Sequence, residues 1–116
     1  MNNMKSEITF EDFSKIDIRI GTILEVNDFP NARKPAYQLT IDFGDLGIKK
    51  SSAQITHIYS KKALVGKQIT AVVNFQKKQI ANFFSECLVL GITNNKQEIV
   101  LLKASKLNLK NGEQIS

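Results

Sequence analysis

Ile16-Asp17-Ile18-Arg19-Ile20-Gly21-Thr22-Ile23-Leu24-Glu25-Val26 is the stretch on which the architecture turns. Apolar side chains at 16, 18, 20, 24 and 26 have the period of a β-strand. Gly21 interrupts the run, as expected where a strand bends hard or bulges in a small barrel. Upstream, Thr9-Phe10-Glu11-Asp12 resembles a helix start, with Thr9 as cap and Asp12 at the third position. Phe10 and Phe13 share one face of that short helix, which needs something to pack on, since one turn is not stable alone. Downstream, Asp28 to Pro35 carries two prolines in six residues and reads as a loop.

The remaining elements follow in order. Tyr37, Leu39, Ile41 and Phe43 alternate with polar residues in a second strand, and Gly44-Asp45-Leu46-Gly47 supplies a hairpin turn. Ile48 to Ile55 reads as a third strand, and Thr56 to Val65 as a short helix ending near Gly66. Ile69, Ala71, Val73 and Phe75 mark a fourth strand, with all four expected inside. Gln76 to Phe84 is a long connection, and Cys87 to Ile92 is apolar throughout, like a strand buried on both faces. Ile99 to Leu102 returns as a sixth strand, and Asn111-Gly112 turns the tail.

Strand–strand–strand–helix–strand–strand is the order of an all-β OB-fold, a five-stranded Greek-key barrel with a short helix between strands 3 and 4. An SH3-like barrel is the runner-up. Residues 1–9 form an N-terminal arm, and 10–116 a single domain that includes a C-terminal dimerisation extension. The barrel can close by about Ile92, leaving Leu101, Leu102, Leu107, Leu109, Phe10 and Phe13 outside it. Exposed together they would exceed the apolar patch a monomer usually tolerates, so a homodimer is expected. The alternative is that they fold back onto their own barrel.

Composition excludes several classes. The longest apolar run is far short of the roughly 20 residues of a membrane-spanning helix, so no membrane insertion is expected. The first six residues lack the apolar stretch of a secretory signal, and the single cysteine excludes an intrachain disulfide framework. A cytoplasmic protein without metal or cofactor is expected.

The net charge of +5 matters less than its placement. Residues 1–45 carry five basic and eight acidic groups, whereas residues 46–85 carry seven lysines and no acid. Such a stretch suits a polyanion, although a merely solvated basic face has the same composition.

The informative segment is Asn74-Phe75-Gln76-Lys77-Lys78-Gln79-Ile80-Ala81-Asn82-Phe83-Phe84-Ser85-Glu86. It interleaves lysines with phenylalanines at the connection between the fourth and fifth barrel strands, which OB-folds use for nucleic acid. Lysines neutralise phosphates while rings stack on unpaired bases. Phe83 and Phe84 are adjacent, so in extended chain only one faces inward; the other is free for stacking or for peptide contact. Arg33 and Lys34 of the proline loop extend the basic face. Lys49 and Lys50 point to opposite faces of one strand, and Lys61 and Lys62 lie on the short helix as solvated charges.

Other constellations carry less. Asp17 and Arg19 project to one strand face and suit an ion pair. Ser85, His57 and an aspartate could compose a triad, but no Gly-x-Ser-x-Gly elbow accompanies Ser85. Cys87 sits in the most apolar run, as an inert buried thiol does. No enzyme is expected.

Phe13-Ser14-Lys15-Ile16-Asp17-Ile18-Arg19-Ile20-Gly21-Thr22-Ile23, Asn31-Ala32-Arg33-Lys34, and Asn74-Phe75 through Ser85-Glu86-Cys87-Leu88-Val89-Leu90 together resemble the EMAP II-like tRNA-binding domain family. The likeness runs over about residues 10–116. Within that family, Ser51-Ser52-Ala53-Gln54-Ile55-Thr56 and the short length are most similar to the bacterial secretion-chaperone members. The resemblance implies an OB-fold, a homodimer built through terminal extensions, no catalysis, and binding of tRNA or structured RNA by shape and backbone contacts. It also implies a chaperone role toward unfolded exported preproteins with the Sec machinery. Lys34 matches the basic residue of the first-loop motif, Lys78 one of a basic pair, and Ser85 and Leu88 positions that face tRNA. Here the second basic position is Gln79, the usual prolines are Gln76 and Lys77, and the usual glycine is Asn82, which tolerates a left-handed turn. The loop keeps its charge through Lys77 and Lys78 and loses stiffness. The expected RNA contacts are Arg33, Lys34, Lys77, Lys78, Ser85 and Leu88; the expected peptide contacts are Phe83 and Phe84. A bare oligomerisation module is the remaining reading.

Overall fold

A computed structural model describes residues 3–106 and 108–116. The chain opens with α1 (Phe10–Ser14), where the Thr9 hydroxyl accepts from the Asp12 amide and the Asp12 carboxylate accepts from the Thr9 amide. Then come β1 (Ile18–Asp28), β2 (Tyr37–Asp42), β3 (Ile48–Ala53), α2 (Lys61–Leu64) and β4 (Gln68–Val72). The hairpin of β5 (Lys78–Ile80) and β6 (Phe83–Ser85) follows, then β7 (Leu88–Val89), β8 (Gly91–Thr93) and β9 (Ile99–Leu101). One antiparallel sheet runs β3-β2-β1-β4-β7 and curls into a nearly closed OB-type barrel.

Strand β1 holds the barrel together by changing partner midway. Ile18 to Thr22 pair with β4, and Thr22 to Asp28 pair with β2. The register slips between Ile23 and Glu25, so the bulge falls at Leu24 and not at the expected Gly21. Gly21 has a different reason: a Cβ there would lie 2.6 Å from the Phe43 ring and 2.7 Å from Ile41. The bulge resets the alternation, turning Ile23 and Val26 inward and exposing Leu24. The even-numbered isoleucines before it do not enter the main core. Ile16 is exposed, Ile18 half-buried, and Ile20 is buried beneath the C-terminal segment. That segment runs beside β1: the Ile20 amide donates to the Glu113 carbonyl (3.0 Å), and the Gly112 amide to that of Ile20 (2.8 Å).

The core comprises Ile23, Val26, Tyr37, Leu39, Ile41, Phe43, Ile55, Leu64, Ile69, Ala71 and Cys87. The expected helix over 56–65 shrinks to the single turn α2, capped by the Ser60 hydroxyl and ended at Gly66 (φ +88°). Residues before it are pinned otherwise. The Tyr37 hydroxyl donates to the Tyr59 carbonyl, and the Tyr59 hydroxyl accepts from the Leu101 amide.

Three further expectations are corrected. Phe75, expected in the core, is 60 % exposed. Strand β4 stops at Val72 because the Asn74 side chain turns the chain aside, accepting from the Asp17 amide and donating to the Lys15 carbonyl. The connection 76–84 is a hairpin, and the residue at positive φ is Ala81 (φ +55°), not Asn82. Cys87 to Ile92 is not one doubly buried strand: it breaks between barrel strand β7 and the separate β8–β9 hairpin, leaving Leu88 and Ile92 exposed.

The extensions divide. Leu101 packs on the barrel core and Leu109 is half-buried, so this part folds back on its own domain. Phe10 and Leu102 stay exposed, as do Ile92 and Val100, a directly opposed pair on β8 and β9. Leu107 lies outside the described residues.

Candidate nucleic-acid interface

The face that carries the expected RNA contacts is assembled by a small second core. Phe29 and Ala36, at the ends of the proline loop, bury against Phe83 of β6, with Ala32 and Ile80 packed around them. The Phe29 and Phe83 rings are 5.3 Å apart and tilted by 58°. Adjacent residues of a strand face opposite ways, so fixing Phe83 inward turns Phe84 out, where it is half exposed. Phe83 is therefore the anchor of this face, and Phe84 is the member of the pair with a ring available for contact.

Two open grooves flank the β5–β6 hairpin. One, of about 490 Å³, is lined by Phe75, Lys77, Lys78, Ser85 and Leu88, with Cys87 at its base. The other, of about 450 Å³, is lined by Arg33, Lys34 and Lys78, together with Ser52 of β3 and Gln54 just beyond its end. Lys78 forms a wall of both. All six expected RNA contacts (Arg33, Lys34, Lys77, Lys78, Ser85 and Leu88) thus line one groove or the other. Residues more than forty apart in sequence converge because the Phe29–Phe83 contact clamps the two loops together.

The electrostatics are more compensated than the acid-free stretch 46–85 implies. Glu86, the next residue, places Oε2 4.0 Å from Lys77 Nζ, while its Oε1 accepts from the Lys50 amide at 2.9 Å. Lys61 pairs with Asp28 at 2.8 Å, and that hydrogen bond and charge raise its pKa, so its charge is already matched. Among the described residues, Arg33, Lys34 and Lys78 are exposed cations of the grooves with no ion-pair partner.

Ser85 and Glu86 also close the barrel. The Ser85 hydroxyl accepts from the Ser52 amide (3.2 Å), the Ser51 hydroxyl donates to the Cys87 carbonyl (2.8 Å), and the Glu86 amide donates to the Lys50 carbonyl (2.7 Å). This explains Ser51, which sequence reasoning treated only as part of a family likeness, whereas Ser52 contributes its main-chain amide. Ser85 is bonded to backbone groups and to no histidine, so the triad reading has no geometric support. Asp17 and Arg19 form the expected ion pair, and Arg19 also donates to the Gly112 carbonyl, tying down the C-terminal segment. Burial pushes the Cys87 thiol up to about 11, as suits an inert core residue. Among the described residues no cluster of three or more metal-ligating side chains occurs, and no helix is long and apolar enough to cross a membrane.

Sequence reasoning missed Phe75, whose exposed ring lines the first groove beside Lys77. Asn74, a strong turn former directly before it, was the available signal. It also missed Gln54, an exposed residue lining the second groove.

Known proteins resemble this one in sequence and fold. The profile of the family described as "Putative tRNA binding domain" matches residues 18–114, the whole barrel with its C-terminal segment. A methionine–tRNA ligase of Bacteroides fragilis is 31 % identical over 112 residues, 97 % of this chain and 16 % of that protein. One of Flavobacterium johnsoniae is 33 % identical over 98 residues, 84 % of this chain and 14 % of that protein. The chain thus spans about one-sixth of the length of these curated relatives. Among solved structures, the chaperone CsaA of Bacillus anthracis str. Ames superposes with a TM-score of 0.90 at 50 % identity, covering 96 % of this chain and 100 % of that one. The CsaA chaperone protein of Picrophilus torridus superposes at 0.89 with 54 % identity, covering 95 % and 100 %. With a profile spanning the barrel and two CsaA chains matched along their full length at half or more of their residues, the chain belongs to the tRNA-binding domain family and is a CsaA-like member of it.

Proposed function

We propose that this protein is a non-catalytic, cytoplasmic homodimer that binds tRNA or a similarly structured RNA mainly through phosphates. One observation carries the reading: Lys78 is the common wall of two grooves whose other cations are Arg33, Lys34 and Lys77. Three charges unpaired among the described residues, and Lys77, partly offset by Glu86, match a phosphate backbone, and the exposed Phe75 and Phe84 rings offer stacking surfaces for unpaired bases. The dimer is supported by the exposed Ile92–Val100 pair together with Phe10 and Leu102, apolar groups that a second copy would cover.

The test is fluorescence anisotropy with unfractionated tRNA across a salt series. With about four phosphates neutralised, affinity should fall roughly a hundredfold between 50 and 200 mM salt. A slope near zero would overturn the reading.

A second reading is favoured by the apolar part of the first groove. Phe75 and Leu88 are exposed there, beside a hairpin whose Phe84 is also exposed. The same face would then hold an unfolded segment of an exported preprotein before delivery to the Sec machinery, with no physiological RNA ligand. Such binding should persist at high salt and give a negative heat-capacity change in calorimetry with a preprotein peptide.

A further inference from the structure

A third pocket, of about 340 Å³, adjoins the second groove on the far side of Lys34. Lys34 and Gln54 line both, as Lys78 lines both of the first two, so each depression borders the next. The chemistry changes across the series. The first two depressions are walled by cations, whereas the third gathers uncharged hydrogen-bonding groups: Gln54, Thr56, Thr93 and Gln97, with the exposed ring of His57. Its size falls within the range of about 300–1,000 Å³ typical of small-ligand sites.

How Gln97 reaches this pocket is a second, independent observation. It sits at the tip of the β8–β9 hairpin at φ +63°, a left-handed conformation that glycine or asparagine adopts at less cost. The turn does not need a glutamine. Asn94 builds it, its side-chain oxygen accepting from the Lys96 and Glu98 amides at 2.9 Å and its carbonyl from the Gln97 amide at 3.1 Å. The glutamine side chain therefore stands in a costly backbone position and faces a pocket rich in polar groups.

We propose that this pocket receives one unpaired nucleotide of an RNA whose phosphates lie along Lys78, Arg33 and Lys34, and that Gln54, Thr93 and Gln97 discriminate its base edge. Side-chain amides present a donor and an acceptor together, the pattern that distinguishes one base edge from another, and an imidazole ring is a recognised stacking platform. The inference rests on the RNA-binding reading and deepens it: cations set affinity, and the far pocket sets preference.

The experiment uses fluorescence anisotropy with labelled RNA hairpins that share one stem and differ only in an unpaired loop of A, C or U. The wild type should separate the best loop from the worst by about tenfold at constant salt, the effect of one good base-edge contact. Gln97→Gly, which eases the backbone and so keeps the fold, should bring the preferred loop to within about threefold of the others. Thr93→Ala combined with His57→Ala should do the same, with folding checked by thermal melting. Lys34→Ala with Lys78→Ala should instead weaken all loops together and flatten the salt dependence. An unchanged loop preference in Gln97→Gly, or no preference in the wild type, overturns the pocket assignment while leaving RNA binding intact. Absence of salt-dependent binding to any hairpin overturns the RNA reading itself.

Discussion

Phe29 and Phe83, 54 positions apart in the chain, meet with tilted rings 5.3 Å from each other and join the proline loop to the β5–β6 hairpin in one surface. Arg33 and Lys34 ride on one side of that contact, and Lys77 and Lys78 on the other. Phe83→Ala should therefore do two things. Losing a buried ring should cost about 3 kcal/mol of stability in urea unfolding. It should also weaken tRNA binding, by loosening the spacing of Lys34 from Lys78. Phe84→Ala removes a half-exposed ring and should change stability by no more than about 0.5 kcal/mol.

The lysines of the hairpin should not be equivalent. Lys77 has Glu86 4.0 Å away, while Lys78 has no such partner among the described residues and borders both grooves. Lys78→Ala should reduce the slope of log affinity against log salt by about one unit for tRNA, and Lys77→Ala by visibly less. Equal effects would show that Glu86 does not offset Lys77.

Gly21→Ala tests the packing of the barrel interior. The added methyl would meet Phe43 and Ile41, both fully buried, at under 3 Å. Overpacking of this kind costs about 1–3 kcal/mol, readable as a lower urea midpoint at unchanged slope. If the substitution proves neutral, the glycine is not there for close approach.

Cys87 gives a pH signature. Its folded pKa is raised from 9.0 to about 11 because burial disfavours the thiolate. The neutral thiol's stabilising contribution is complete below about pH 9, where the unfolded chain also keeps the proton. It is lost as pH rises toward the folded value near 11, because only the unfolded chain gains by ionising. Wild type minus Cys87→Ala should show a stability difference that shrinks by up to about 3 kcal/mol over that interval. At pH 8 the thiol should resist alkylation until the protein unfolds.

Much of this was legible from residue order. The Thr9–Asp12 capping box, the alternation of β2, and the element sequence of the barrel followed from local pattern, because each depends on neighbours within a few positions. The basic residues of the interface were legible too, since charge needs no geometry to be noticed. What escaped the sequence was set by distant contacts. Leu24 and Ile23 exchanged roles at a bulge that exists only because β1 serves two neighbours. Phe75 left the core because Asn74 bonds to Asp17 and Lys15, nearly sixty residues earlier. Gln54 and Gln97 look like ordinary surface polar residues until the fold sets them around one pocket.

The closure between β3 and the 85–87 segment combines one main-chain hydrogen bond with several through serine hydroxyls and a carboxylate. A cask whose last stave is fastened by pegs rather than by a full joint leaks there first. Amides of Lys50 and Ser52 should consequently exchange with solvent ahead of those inside β1, and a polymer lodged against Ser85 and Leu88 would slow that exchange by holding the stave shut.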